Sequence, residues 1–179
     1  MKETTIHVPK QTAEADHFSA IFRAEHRQVR DLLLELVQAY QGREKNRISA
    51  LLTELASCTG PHFRYEEEVL YPLLVQFFGQ AYVRELFHAH DRAIATAKEL
   101  VTQAGKDGPT EDEVSSAIRG VRSILPHVTD CDGLSILVER LPAEHVLQIL
   151  AARDKARHAG LDLLTWAAQV RRGSQGQPD

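Results

Sequence analysis

A chain of 179 residues, 43% of them hydrophobic, is long enough to bury one continuous core and too short for two ordinary domains. Its net charge of −4, with no basic block beyond Arg171-Arg172, argues against a nucleic-acid partner, and two cysteines, Cys58 and Cys131, in no CxxC arrangement argue against a disulfide framework or a zinc ribbon. No apolar run approaches the roughly 18 residues of a membrane span, and the polar stretch from Met1 to Asp16 lacks the core of a signal peptide, so a soluble cytoplasmic protein is expected.

Residues 1–16 have no hydrophobic period and read as an arm that contains His7 and ends on Asp16, a residue suited to cap the next helix. From Phe18 the apolar residues fall at Phe22, Val29, Leu33, Leu36 and Tyr40, in steps of three and four that predict an amphipathic helix. His26 fills the gap in that stripe. After Gln41-Gly42 a second helix is expected over 44–78, with Ile48, Leu52, Leu55, Thr59, His62, Glu66, Val69, Leu73 and Phe77 on one face. Gly60-Pro61 and Pro72 lie inside it and predict kinks, because each proline removes a backbone donor and crowds the preceding turn.

With about 3.6 residues per turn, His62 and Glu66 stand one above the other, so an imidazole and a carboxylate converge inside an apolar stripe. A carboxylate there is costly unless it is paired or coordinated, which points to a metal. Taken alone, the pair reads equally well as a hydrogen-bonded core histidine beside a surface glutamate. Glu67 and Glu68 read as solvated, with Glu67 turning inward only if the helix is distorted.

A third helix is expected over 80–104, with Val83, Leu86, His90, Ile94, Ala97 and Val101 on one face and His88 pointing away. Lys106-Asp107-Gly108-Pro109 breaks the chain, and Thr110 with Glu113 forms a capping box for a fourth helix. Its stripe passes through Val114, Ala117, Val121, Ile124 and His127 to Leu134 and Val138. Pro126 and Gly133 bracket an irregular stretch in which a π-type bulge would bring Asp132 onto the face of His127. The alternative leaves Asp130 and Asp132 in solvent and Cys131 as a small buried hydrophobe. A shorter helix over 143–158 and a last amphipathic stretch with Leu161, Leu164 and Trp166 follow, then a tail over 173–179. His145 and His158 sit among charged residues and are expected at the surface.

Four inward histidines, one per helix, with nearby carboxylates, make an inventory for a metal site in a helical core. The stretches Glu25-His26-Arg27-Gln28-Val29-Arg30, His62-Phe63-Arg64-Tyr65-Glu66-Glu67 through Leu70-Tyr71-Pro72, His90-Asp91-Arg92-Ala93-Ile94, and His127 with Asp132 resemble the hemerythrin-like (HHE cation-binding) family. The resemblance implies an all-α, up-down-up-down four-helix bundle over residues 17–172, with additional short C-terminal helices. It implies two non-haem iron ions per chain, oxo- or hydroxo-bridged, with His26, His62, His90 and His127 as terminal ligands and Glu66 and Asp132 as bridging carboxylates. The expected partner is a small diatomic molecule or peroxide, and the expected state a monomer or homodimer.

Two positions depart from the family pattern. Leu86 stands where oxygen-carrying members have a further histidine, and Cys131 stands where many members have a glutamate, the carboxylate moving to Asp132. A ferritin-like oxidase or iron store would need Glu-x-x-His pairs on two helices; Glu85-x-x-His88 fits, but its histidine faces away. A zinc hydrolase would carry HExxH, which is absent. A metal-free interaction module would use the same histidines as hydrogen-bonded core residues.

Overall fold

The computed structural model describes residues 13–106 and 108–171; His7, most of the N-terminal arm and the tail over 173–179 lie outside them. The described residues are helical and contain no strand. Helix α1 spans Ala13–Gln41, α2 Lys45–Tyr65, α3 Tyr71–Ala104, α4 Glu111–Asp132, α5 Ser135–Val138, α6 Ala143–Ala159 and α7 Leu163–Val170, with a π-helical turn over Glu66–Leu70 between α2 and α3. Among the described residues, no helix is long and apolar enough to cross a membrane.

Helix α1 opens at Ala13, so Asp16 lies in its first turn rather than before it, where its negative charge suits the positive end of the helix dipole. The expected second helix divides. It runs unbroken through Pro61, then widens at Glu66–Leu70, where the Tyr71 N–H donates to the Glu66 carbonyl five residues back. Pro72 follows in the first turn of α3, where a missing N–H is tolerated. Within α3, Gly79 has φ +76 and ψ 166, a backbone state that glycine adopts without the cost a side chain would add. The helix is broken there, between a part that prolongs α2 and a part that carries His90. Thr110 and Glu113 form the expected capping box of α4.

Each of α1 to α4 touches the next, and α4 returns to α1, while α6 and α7 pack on α2. One apolar cluster gathers Leu33, Leu36, Leu52, Leu100 and Val121. A second gathers Phe18, Phe22, Tyr65, Leu70, Tyr71 and Leu86, and a third joins Phe63 and Ile94 to Trp166 of α7. In the chain, each inward histidine falls where one of these clusters gives way to another: His26 between Phe22 and Val29, His62 between Leu55 and Tyr65, His90 between Leu86 and Ile94, His127 between Val121 and Cys131. The result is one polar layer held between apolar ones.

Candidate metal centre

The polar layer is ordered by what each imidazole does with its outward nitrogen. His26 Nδ1 donates to the Phe22 carbonyl at 2.9 Å, one turn back on α1. A carbonyl only accepts, so the proton is on Nδ1 and the Nε2 lone pair is free. His62 Nδ1 donates to Glu25 at 2.9 Å, and His90 Nδ1 donates to Glu67 at 2.9 Å. Their Nε2 atoms therefore turn inward as well. Phe63 stacks on the His90 ring at 3.6 Å between centroids and fixes its plane.

The inward nitrogens face Glu66, which is 1% exposed. Its Oε1 lies 3.4 Å from His62 Nε2 and its Oε2 3.1 Å from His90 Nε2, yet neither oxygen closes a hydrogen bond. Burial would raise this carboxyl, but His62 and His90 hold it well below the ordinary carboxylate range. A buried carboxylate with two unsatisfied oxygens is costly unless something else occupies its lone pairs. Ligand atoms of His26, His62 and Glu66 all lie within 4.8 Å of one another, so these three residues could hold a metal ion. Two imidazoles and one carboxylate form a donor set known for non-haem iron, and the orphaned oxygens of Glu66 fit that group.

His127 and His90 approach edge to face, with ring centroids 4.9 Å apart. Burial and the neighbouring His90 push the His127 pKa down to about 4, leaving it neutral and able to ligate near pH 7. Its closest polar partner is Cys131 Sγ at 3.6 Å. That contact shows that α4 stays a regular helix here: the residue four positions on faces His127, and the expected bulge lies instead at Glu66–Leu70. Asp132 is half-buried, its Oδ1 has no hydrogen-bond partner, and its charge acts on His26. Of the six expected ligand residues, His26, His62 and Glu66 bring their ligand atoms together, His90 reaches Glu66 at 3.1 Å and His127 packs on His90, while Asp132 acts on the group through its charge at His26.

Several groups around the layer escape sequence reasoning. Glu25 accepts from His62, from the Tyr65 hydroxyl at 2.9 Å and from Arg153. Although burial opposes it, His62 and Arg153 hold the Glu25 carboxyl down at about 2. Glu67, expected in solvent unless the helix is distorted, lies in the π-turn; its side chain is only 11% exposed and pairs with His90 and Arg171. Tyr71 donates to His90 Nε2 at 2.9 Å. Burial pushes the Tyr65 and Tyr71 phenols well above their ordinary range, so both are donors at neutral pH. Glu68 is exposed and paired with Arg64, and Glu85 and His88 are both exposed, which removes the Glu-x-x-His pair from the core. His145 is half-buried rather than exposed, and its Nδ1 has no partner.

Two openings reach His127. A pocket of about 280 Å³ is bordered by Tyr82, Leu86, Arg92 and Asp130 as well as His127. On another side lies an apolar cavity of about 60 Å³, walled by residues such as Leu33, Leu55, Ala97 and Val128. His127 is the polar group common to both.

The charge state of the metal-free layer makes a prediction. Burial disfavours a charge on His62, but Glu66 and Glu25 flank it and hold its pKa up at about 10. Because that value lies above the ordinary 6.5, His62 stabilises the metal-free fold fully below pH 6.5, and the contribution is lost as pH rises through about 10. A metal at Nε2 must displace the proton, so affinity should rise with pH toward about 10 and loading near neutrality should release protons. Calorimetric titration with Fe(II) in buffers of different ionisation enthalpy measures the release; a heat independent of the buffer would contradict it.

In comparisons with known proteins, the family described as hemerythrin HHE cation binding domain matches residues 17–130. No curated protein and no solved structure matches the chain.

Proposed function

Because the chain belongs to the hemerythrin HHE cation-binding family, we propose that it is a non-haem di-iron protein that binds or reacts with a small oxidant such as O2, NO or peroxide. The proposed ligands are His26, His62, Glu66, His90, His127 and Asp132, with Glu66 and Asp132 shared between the two ions. The observation that carries this is Glu66: a carboxylate 1% exposed, its two oxygens unsatisfied, between imidazoles that turn their Nε2 atoms toward it. A metal-free interaction module would give that carboxylate an ion pair with His62 but leave both its oxygens without a hydrogen bond. The cyclic contacts of α1 to α4 support an up-down-up-down bundle, and the packing of α6 and α7 on α2 supports a single domain over 17–172.

Iron, when bound, supplies the redox and ligand-binding chemistry. The chain's own residues orient the donors through Phe22, Glu25 and Glu67, line one cavity beside His127 with apolar side chains and leave beside it a pocket of mixed lining that includes Arg92 and Asp130. Leu86, 5% exposed, lines that pocket and contributes no donor, so an ion held by His90 and His127 would have fewer protein ligands than in an oxygen carrier. Reversible carriage calls for one vacant position in a dry pocket; further vacancies open to solvent favour oxidation of the ferrous pair.

The expected result is two irons per chain and rapid oxidation of the reduced protein in air, with reactivity toward NO or peroxide. Metal analysis and visible spectra recorded while cycling between air and argon test it. A spectral change that reverses completely over many cycles would make the protein a carrier, and a purified chain that retains no iron after anaerobic loading would remove the metal function altogether.

A further inference from the structure

Helices α6 and α7 lie beyond the last expected ligand, yet each sends an arginine back to the layer around it. Arg153 of α6 places Nε 2.8 Å and Nη2 2.6 Å from Glu25 Oε1, while Glu25 Oε2 accepts from His62 Nδ1 at 2.9 Å. Arg171, at the end of α7, places Nη2 2.7 Å from Glu67 Oε1 and Nη1 3.1 Å from Oε2, while Glu67 Oε1 accepts from His90 Nδ1 at 2.9 Å. Arg171 also bonds Asp91 at 3.0 Å and lies 4.9 Å from the centre of the Trp166 ring. The two relays have the same form, arginine to carboxylate to histidine, and they serve one histidine on each side of Glu66. His26 relies on a backbone carbonyl instead.

Surface ion pairs contribute little, and a simpler role would be to fasten the C-terminal helices. That fastening is already provided by apolar burial: Val146 and Ile149 of α6 are 0% exposed, and Leu163 and Trp166 of α7 are 5% and 2% exposed. What the guanidinium adds is geometric. At Glu67 the planar fork spans both carboxylate oxygens and fixes their plane; at Glu25 two guanidinium nitrogens hold Oε1 and leave Oε2 to His62. A carboxylate oxygen held in place at Nδ1 sets the tautomer that leaves Nε2 for a metal and makes that nitrogen a better donor.

We propose that Arg153 and Arg171 are positioning residues of the metal centre, each orienting one ligand histidine through a shared carboxylate, so that α6 and α7 complete a site whose ligands all precede them. The inference rests on the metal reading above. It requires each arginine to affect its own histidine and not the other.

The test uses the full chain loaded with Zn(II), a diamagnetic probe, and correlates ring nitrogens with protons by NMR. In the unaltered protein His62 and His90 should each show a slowly exchanging Nδ1–H. Arg171→Gln should broaden or lose the His90 signal and leave His62 unchanged; Arg153→Gln should do the reverse. Iron affinity, from competition with a chelator, should fall about tenfold in each, in the range expected for outer partners of metal ligands. Arg171→Lys keeps the charge but not the fork, and should weaken the His90 signal by less; it also serves if the glutamine variant does not fold. Unchanged ring signals and iron affinity in these variants, with only earlier melting, would show that the arginines merely fasten helices and overturn the proposal. An unaltered chain that binds neither Zn(II) nor Fe(II) would overturn the metal reading itself, and this inference with it.

Discussion

Replacing Glu66 by glutamine should remove both irons from the chain while leaving its helices in place. The carboxylate lies 3.4 Å from His62 Nε2 and 3.1 Å from His90 Nε2, so it is the group proposed to join the two halves of the site. An amide of the same shape puts an N–H₂ where one lone pair was needed and withdraws the charge that offsets the cations. The fold should tolerate this. Breaking a buried ion pair costs about 3–5 kcal/mol when the surviving charge is trapped. Here His62 can shed its proton, which brings the loss closer to that of one unsatisfied polar group, about 1–3 kcal/mol. Iron per chain and far-ultraviolet circular dichroism measured on the same sample separate the effects. Two irons retained in Glu66→Gln would end the bridging role, and one retained would make Glu66 a ligand to a single ion.

The four histidines were legible because each occupies an apolar-stripe position, and a stripe is a local property of the sequence. His62 and Glu66 were legible as a pair because four residues return a helix to the same face. Of the partners of those histidines, Glu67 was legible only on condition of a distorted helix, and Glu25 was not legible. Glu25 precedes His26 and lies off the stripe of α1; only the packing of α6 brings Arg153 against it, 128 positions away. Glu67 follows Glu66 and turns inward because the backbone widens to a π-turn there. Pro126 and Gly133 made the expected distortion plausible in α4, yet that helix runs through Pro126 and keeps regular spacing from His127 to Cys131. Of Pro61, Pro72 and Pro126, which fall within helical stretches, only Pro72 borders the π-turn. Arg153 and Arg171 carry no local pattern at all, since an arginine on an exposed helix face is ordinary until its partner across the fold is known.

Gly60 offers a large and readily measured effect. Mid-helix glycine is normally a liability, and replacing it by alanine should stabilise a helix by about 1 kcal/mol. At this position a Cβ would lie 2.6 Å from both Asp162 C and Leu163 N, with the Leu161 carbonyl oxygen also in its way. These are backbone atoms at the start of α7, where the Asp162 side chain accepts from the N–H groups of Leu164 and Thr165, and they cannot swing aside as a flexible side chain can. Overpacking of this kind costs about 1–3 kcal/mol, so the contact should outweigh the propensity and the sign should reverse. For a chain of this size each kcal/mol moves the melting temperature by about 2–4 °C. Gly60→Ala should therefore melt several degrees lower, and because α7 carries Arg171, its displacement should also loosen Glu67 from His90 and lower iron affinity. Gly120→Ala is the control: its Cβ would meet only the Thr96 methyl, at 3.2 Å, and it should leave iron affinity unchanged. A Gly60→Ala protein that melts no lower than the parent and holds iron equally well would show that α7 is free to move away without consequence for the site.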